Sequence, residues 1–127
     1  MNFYIIIPAH NEADSIGLTL YSLVNQTLKP KQIVVVNDNS SDSTQSVVDG
    51  YAQKHAYISL VNNSSSDQHL PGSKIINAFY KGYETLDDNY DVLCKFDADL
   101  IFPDNYLEQL ALHFNKNDKL GMASGFC

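Results

Sequence analysis

The sharpest chemistry in this sequence sits in the triplet Asp97-Ala98-Asp99. In extended backbone, residues i and i+2 point to the same side, so two carboxylates at a strand's end can converge on one point. Two bare carboxylates held close repel, and one of them tends to take up a proton. A divalent cation removes that repulsion. Hard oxygen ligands favour Mg2+ or Mn2+, which keep coordination positions open for phosphate oxygens. Taken alone, Asp-x-Asp is as readily a pair of surface acids. Its place after an apolar strand, and two further polar loops, favour the metal reading.

The second loop runs from Asn37 to Asp42. Asp38 has the chemistry to accept a hydrogen bond from a nucleobase N–H. Asn39 tolerates left-handed backbone, and Ser40 and Ser41 can bond the turn itself. Asp42 stands in capping-box spacing with Gln45 and reads as a helix cap. The third loop holds Asn11 and Glu12, for which two readings stand side by side: a ligand contact, or the polar first turn of a helix. His10, in the same loop, is within reach of a ligand. His69, in the long polar stretch 62–72, is placed to close over one. His55 and His113 read as solvent-facing, and no two histidines have metal-ligand spacing. Lys74, near a helix start, either reaches a phosphate or is simply solvated.

These loops need elements to carry them. Residues 3–7 form a wholly apolar β-rich run stopped by Pro8, as expected of a strand covered on both faces. Ile16, Leu20, Leu23 and Val24 share one helical face, with Asn11 or Asp14 as candidate caps and Lys29-Pro30 as the break. Strands are expected at 33–36, 57–61, 91–96 and 120–126. Helices are expected around Val47, Val48 and Tyr51, around Ile75 to Tyr83, and after Pro103, where Leu107, Leu110, Ala111 and Phe114 face inward. Strands so far apart cannot be hairpins. Helical crossovers imply an α/β fold with a mostly parallel, Rossmann-like sheet and helices on both faces. Such sheets bind ligands beyond the carboxyl ends of their strands, where the strand order reverses. A 3-2-1-4 order would bring together the three loops just described.

Composition bounds the alternatives. The chain has 127 residues, 44% of them apolar, enough for one domain with a real core. No apolar run approaches the roughly 18 residues that a membrane span needs, and the start does not read as a signal peptide, so a cytoplasmic setting is expected. Net charge is −7 and the eight basic residues are all lysines, scattered along the chain. That excludes a basic stripe for nucleic acid. The acids Asp87, Asp88 and Asp118 read as solvated surface. Cys94 reads as a small buried hydrophobe, and Cys127 ends the chain; no disulfide framework is indicated.

Together the three loops resemble the N-terminal, nucleotide-sugar-binding half of a family 2 glycosyltransferase of the GT-A fold. Pro8-Ala9-His10-Asn11-Glu12 resembles the family's opening Pro-x-x-Asn-Glu. The run from Val36 to Thr44 resembles its Val-Asp-Asp-Gly-Ser-x-Asp-x-Thr, with Asn37 in place of the first Asp and Asn39 in place of Gly. Asp97-Ala98-Asp99 resembles its Asp-x-Asp signature. Gly72-Ser73-Lys74 through Asn77 to Gly82 is similar, more loosely, to the segment between them. The resemblance implies that Asp38 contacts the base and that Pro8, Ala9, Asn11 and Glu12 line the nucleoside pocket. It implies Asp97 at the ribose or the metal, Asp99 on a Mg2+ or Mn2+ bridging the diphosphate, and Lys74 near phosphate.

The reaction so implied is transfer of a sugar from a nucleoside diphosphate to a hydroxyl of a saccharide or lipid-linked acceptor, with inversion, as in polysaccharide biosynthesis. At about 4 Å and an effective dielectric near 20, each unit-charge pairing on the leaving group is worth about 4 kcal/mol. The general base is expected downstream of Cys127. Residues 1–127 thus read as a donor-binding half-domain, cut after its fifth strand, weak or inactive alone and possible as a peripheral partner of the inner membrane face. Three rivals remain. A sugar nucleotidyltransferase would show a Gly-rich basic loop after strand one. A dehalogenase-type phosphatase would carry Asp-x-Asp on its first strand. A non-catalytic nucleotide-sugar-binding or assembly module would bind without turnover.

Overall fold

The computed structural model describes residues 2–38, 40–63, 80–87, 89–116 and 122–124. Five strands are β1 (Phe3–Ala9), β2 (Gln32–Asp38), β3 (Ile58–Asn63), β4 (Val92–Lys95) and β5 (Met122–Ser124). Among the described residues the helices with both ends defined are α1 (Ala13–Val24), α2 (Thr44–Lys54) and α3 (Tyr106–Lys116). The sheet order is β3-β2-β1-β4-β5, and all four pairings are parallel. This is the doubly wound order expected from the helical crossovers, with β1 at its centre.

β1 explains why the sheet is buried on both sides. Phe3, Ile5, Ile7 and Ala9 point to one face, where they pack with Ile33 and Val35 of β2, Ile16, Leu20 and Leu23 of α1, Val48 of α2 and Leu107 of α3. Tyr4 and Ile6 point to the other, with Val34, Val36 and Leu93, covered in part by Leu86 and Tyr90. Residues 3–7 are fully buried. A two-residue period with apolar side chains at every position has no other stable solution than cover on both faces.

The second face is covered in part by the described residues 80–87, 89 and 90. Residues 80–83 are helical, which is the described part of the helix expected around Ile75 to Tyr83. Gly82 is the point of contact. A Cβ there would stand 2.8 Å from Val36 Cγ2 and 3.0 Å from Ile6 Cγ2, so only glycine lets this segment lie on the sheet. Below it, the buried Tyr4 phenol donates to Asp87 Oδ1 at 2.5 Å, and Asp87 also accepts from Asn89 N at 3.0 Å. The hydrogen bond to Asp87 is the main cause that pushes the Tyr4 phenol up to about 12, and it holds the Asp87 carboxyl below its usual range. Asp87 is exposed, as expected of a surface acid, and it also tethers the loop.

Other local expectations shift. α1 begins at Ala13 with Glu12 at the N-cap and no side-chain cap, so neither Asn11 nor Asp14 caps it. It ends at Val24, before Pro30, and Lys29 Nζ donates to the Val24 carbonyl at 2.6 Å. α2 begins at Thr44 after Ser43, one residue later than an Asp42–Gln45 capping box requires. α3 starts at Tyr106, three residues beyond Pro103. His55 is half-buried between Tyr51 and Tyr57, at ring distances of 6.4 and 5.6 Å, rather than solvent-facing. Cys94 is buried, as expected.

The two glycines 82 and 50 give opposite predictions. Gly82→Ala should lower unfolding free energy by about 1–3 kcal/mol through overpacking. Gly50, inside α2 with nothing within 4 Å of its added Cβ, should gain about 1 kcal/mol as alanine. Urea midpoints of the two variants check both signs.

Candidate functional site

Because β1 lies between β2 and β4 and all three run the same way, their carboxyl ends share one edge of the sheet. Register sets Pro8 beside Val36 and Ala9 beside Asn37. On the other side Ile6 pairs with Lys95, and Phe96 N donates to the Ile6 carbonyl at 3.1 Å. The loops 8–12, 37–42 and 96–99 therefore start side by side.

The first two loops are bonded to each other. Asn11 has φ 52°, the left-handed region that Asn enters more readily than most residues. Its Oδ1 accepts from Ser41 N at 2.7 Å, and its own N–H donates to Ser40 Oγ at 2.9 Å. His10 Nδ1 donates to the Asp38 carbonyl at 2.6 Å. Glu12 N–H donates to Thr44 Oγ1 at 2.9 Å, and Ala13 N–H to Asp42 Oδ2 at 3.2 Å. Asp42 Oδ1 in turn accepts from Thr44 N at 3.0 Å and from the Thr44 hydroxyl. The Thr44 hydroxyl is the first cause that holds the Asp42 carboxyl below its usual range, with the Thr44 and Ala13 N–H groups adding to it. The expectation of left-handed backbone at Asn39 lies outside the described residues; Asn11 is where the turn needs it.

At the end of β2, Asn37 and Asp38 are both buried, each 6% exposed. Asn37 Nδ2 donates to Asn62 Oδ1 at 3.1 Å, while its Oδ1 has no hydrogen-bond partner among the described residues. A buried carbonyl oxygen without a partner is uncommon and costly.

The third loop alternates. Phe96 and Ala98 are buried, and Asp97 and Asp99 are exposed. Both acids thus leave the core on the solvent side, although Ala98 and Asp99 lie in a turn and not in the extended backbone to which the i and i+2 rule applies. Lys95 Nζ stands 3.7 Å from Asp97 Oδ1. Among the described residues, no group of three or more His, Cys, Asp or Glu side chains is placed to hold a metal by itself.

What fixes this loop was not read from the sequence. Thr19, Ser22 and Gln26 lie on the buried side of α1 and its extension, at intervals of three and four, which looks like a flaw in the apolar stripe. Each is spent on the segment after β4. Thr19 Oγ1 donates to the Ala98 carbonyl at 2.9 Å, and Ser22 Oγ accepts from Phe102 N at 3.1 Å. Gln26 Nε2 donates to the Pro103 carbonyl at 2.5 Å, while its Oε1 accepts from Leu107 N at 2.9 Å. The rings of Phe96, Phe102 and Tyr106 pack beneath in tilted and edge-on pairs, with centroids 4.6 to 5.9 Å apart. Polar residues at helical spacing inside an apolar face were the available signal. Lys74 and Asn77, and His69 with them, lie outside the described residues.

Gln26→Met keeps the volume but leaves the buried Leu107 N–H without its partner and takes from the Pro103 carbonyl one of its two donors, the Tyr106 N–H remaining. Stability should fall by about 1–3 kcal/mol, the cost of unsatisfied buried groups. Denaturant unfolding followed by circular dichroism measures it.

Comparison with known proteins agrees with this geometry. The pattern of glycosyl transferase family 2 matches residues 4–125. A probable glycosyltransferase of Bacillus subtilis, YdaM, is 34% identical over 113 residues, which cover 87% of this chain and 24% of that protein. The structure of S. aureus TarS residues 1–349 superposes with a TM-score of 0.75 at 23% identity, covering 93% of this chain and 33% of that one. The same TarS region in complex with UDP-GlcNAc gives 0.72 at 21% identity. The mannosyltransferase PcManGT of Pyrobaculum calidifontis, in complex with GDP-Man and Mn2+, gives 0.60 at 24% identity, covering 80% of this chain and 28% of that one. The chain thus spans about a quarter to a third of these proteins. With the family pattern running through nearly all of its strands and loops, this chain belongs to glycosyl transferase family 2 and has the GT-A fold.

Proposed function

We propose that residues 1–127 bind the nucleoside-diphosphate portion of a sugar donor at the carboxyl edge of the sheet, and that the protein transfers the sugar to an acceptor hydroxyl with inversion. The observation that carries this reading is the shared edge of β2, β1 and β4, with three chemically distinct polar loops on it in a family 2 chain. Asp38 accepts an N–H of the base. Asn37 Oδ1, buried without a described partner, is a second acceptor there. Pro8, Ala9, Asn11 and Glu12 form the wall of the nucleoside pocket, and Lys74 adds charge near phosphate.

Asp97 and Asp99 suit a hard cation. Two exposed carboxylates separated by one residue are the kind of incomplete oxygen set that Mg2+ or Mn2+ completes with substrate phosphate and water. When bound, such an ion neutralises charge building on the departing diphosphate. Asp99 holds it, Asp97 divides its charge between it or the ribose and Lys95, and Thr19 keeps the loop between them in place through the Ala98 carbonyl. The complexes of TarS with UDP-GlcNAc and of PcManGT with GDP-Man and Mn2+ support this choice of ligand class. The acceptor, a saccharide or a lipid-linked one, and the base that takes its proton are assigned to residues outside 1–127. No helix among the described residues is long and apolar enough to cross a membrane. A cytoplasmic setting, peripheral to the inner membrane face, belongs to the same proposal.

Calorimetry with UDP, GDP, UDP-GlcNAc and GDP-mannose, each with Mn2+ or with EDTA, tests the reading. At least one nucleotide should bind, roughly tenfold or more weaker in EDTA or in Asp99→Ala, and similarly weaker in Asp38→Ala even with metal present. Binding of none of them, or binding indifferent to Mn2+ and to both substitutions, overturns it.

A further inference from the structure

We propose that Asp42 and Thr44 are positioning residues that lock the two nucleotide-facing turns into one body, acting through the backbone of Glu12 and Ala13 without touching ligand. This rests on the donor-binding reading above and names the part of the site that keeps its shape. The Thr44 side chain is fully buried. Its hydroxyl has one proton and gives it to Asp42 Oδ1, which leaves its oxygen to accept the Glu12 N–H at 2.9 Å. The second Asp42 oxygen accepts the Ala13 N–H at 3.2 Å, and the first also accepts the Thr44 N–H at 3.0 Å.

Three backbone donors from two helix starts therefore end on one Asp–Thr pair. Each helix leaves its first N–H groups without partners inside the helix, and neither Glu12 nor Ser43 supplies a side-chain cap. One carboxylate faces the positive ends of both α1 and α2, a favourable place for it. The consequence is mechanical. Pro8 to Glu12 on one turn and Asp38 on the other are tied 32 positions apart in sequence by Glu12 N–Thr44 Oγ1, and the Asn11–Ser41 and His10–Asp38 bonds complete the frame. A nucleotide entering a frame already set avoids ordering two turns on arrival. Removing the tie charges that cost to the ligand.

Thr44→Val keeps the shape of the side chain and removes both roles of the hydroxyl; Thr44→Ser keeps both. Two measurements are made on each. The first is amide hydrogen exchange by NMR without ligand. In Thr44→Val the Glu12 and Ala13 amides should exchange at least tenfold faster while those of Ile5, Ile6 and Val35 keep their protection, and Thr44→Ser should restore the original rates. The second is calorimetry with UDP and GDP plus Mn2+. Thr44→Val should bind roughly tenfold more weakly and Thr44→Ser like the unaltered protein. Asp42→Asn, which keeps one acceptor oxygen, should fall between. Unchanged exchange at Glu12 and Ala13 in Thr44→Val overturns the proposal, as does unchanged nucleotide affinity where the unaltered protein binds. If the unaltered protein binds neither nucleotide, the donor-binding reading fails and the exchange rates still decide the tie.

Discussion

Parallel pairing of a strand that is apolar on both sides is the constraint from which the rest follows. β1 offers no polar face, so it must lie in the middle of the sheet with cover above and below. Once it is central, β2 and β4 flank it, and parallel direction brings all three carboxyl ends to one edge. The site's location is set by this packing before any catalytic residue is considered. The three loops themselves contribute little to the burial that holds the sheet.

Burial alone would leave those loops loose. Here a second layer of interactions holds them, made of polar groups that are buried apart from the exposed Asp42. Thr19, Ser22 and Gln26 bind the segment after β4 to α1, and the Asp42–Thr44 pair binds the turn after β1 to the turn after β2. Buried polar groups are tolerated when satisfied and costly when not. Both sets are satisfied through backbone N–H and C=O groups, so they fix main chain, and the main chain carries the acids. The exposure of Asp97 and Asp99 follows from Ala98 being pulled inward between them. Asn37 Oδ1 breaks this pattern as a buried acceptor without a partner among the described residues, at the end of β2, beside Asp38.

The order of strands and helices was legible because its signals are periodic. A doubly apolar run, a helical stripe at 16, 20 and 23, and the spacing between strands all report on burial, which dominates the fold. The three loops were legible as an ordered set, and the family pattern confirms the relationship they suggested. Local detail was less so, since it depends on partners far away in sequence. Asp42 looked like the cap of its own helix, yet one of its oxygens serves the start of another. Asp87 looked like a solvated acid and is exposed, yet it also receives a buried phenol 83 positions away. Gln26, which no sequence rule singled out, joins α1 to α3 across 81 positions. Capping rules count short intervals and cannot see these.

The central claim is that the ends of β1, β2 and β4 form one cation and diphosphate site. A crystal structure with Mn2+ and a nucleoside diphosphate, phased to show anomalous scattering from manganese, tests it directly. The account predicts a manganese peak within about 2.2 Å of an Asp99 oxygen and of a diphosphate oxygen, with the base against Asp38 and the ribose over Pro8 to Glu12. Manganese bound away from Asp97 and Asp99, or a nucleotide seated on any other surface of the sheet, would contradict it.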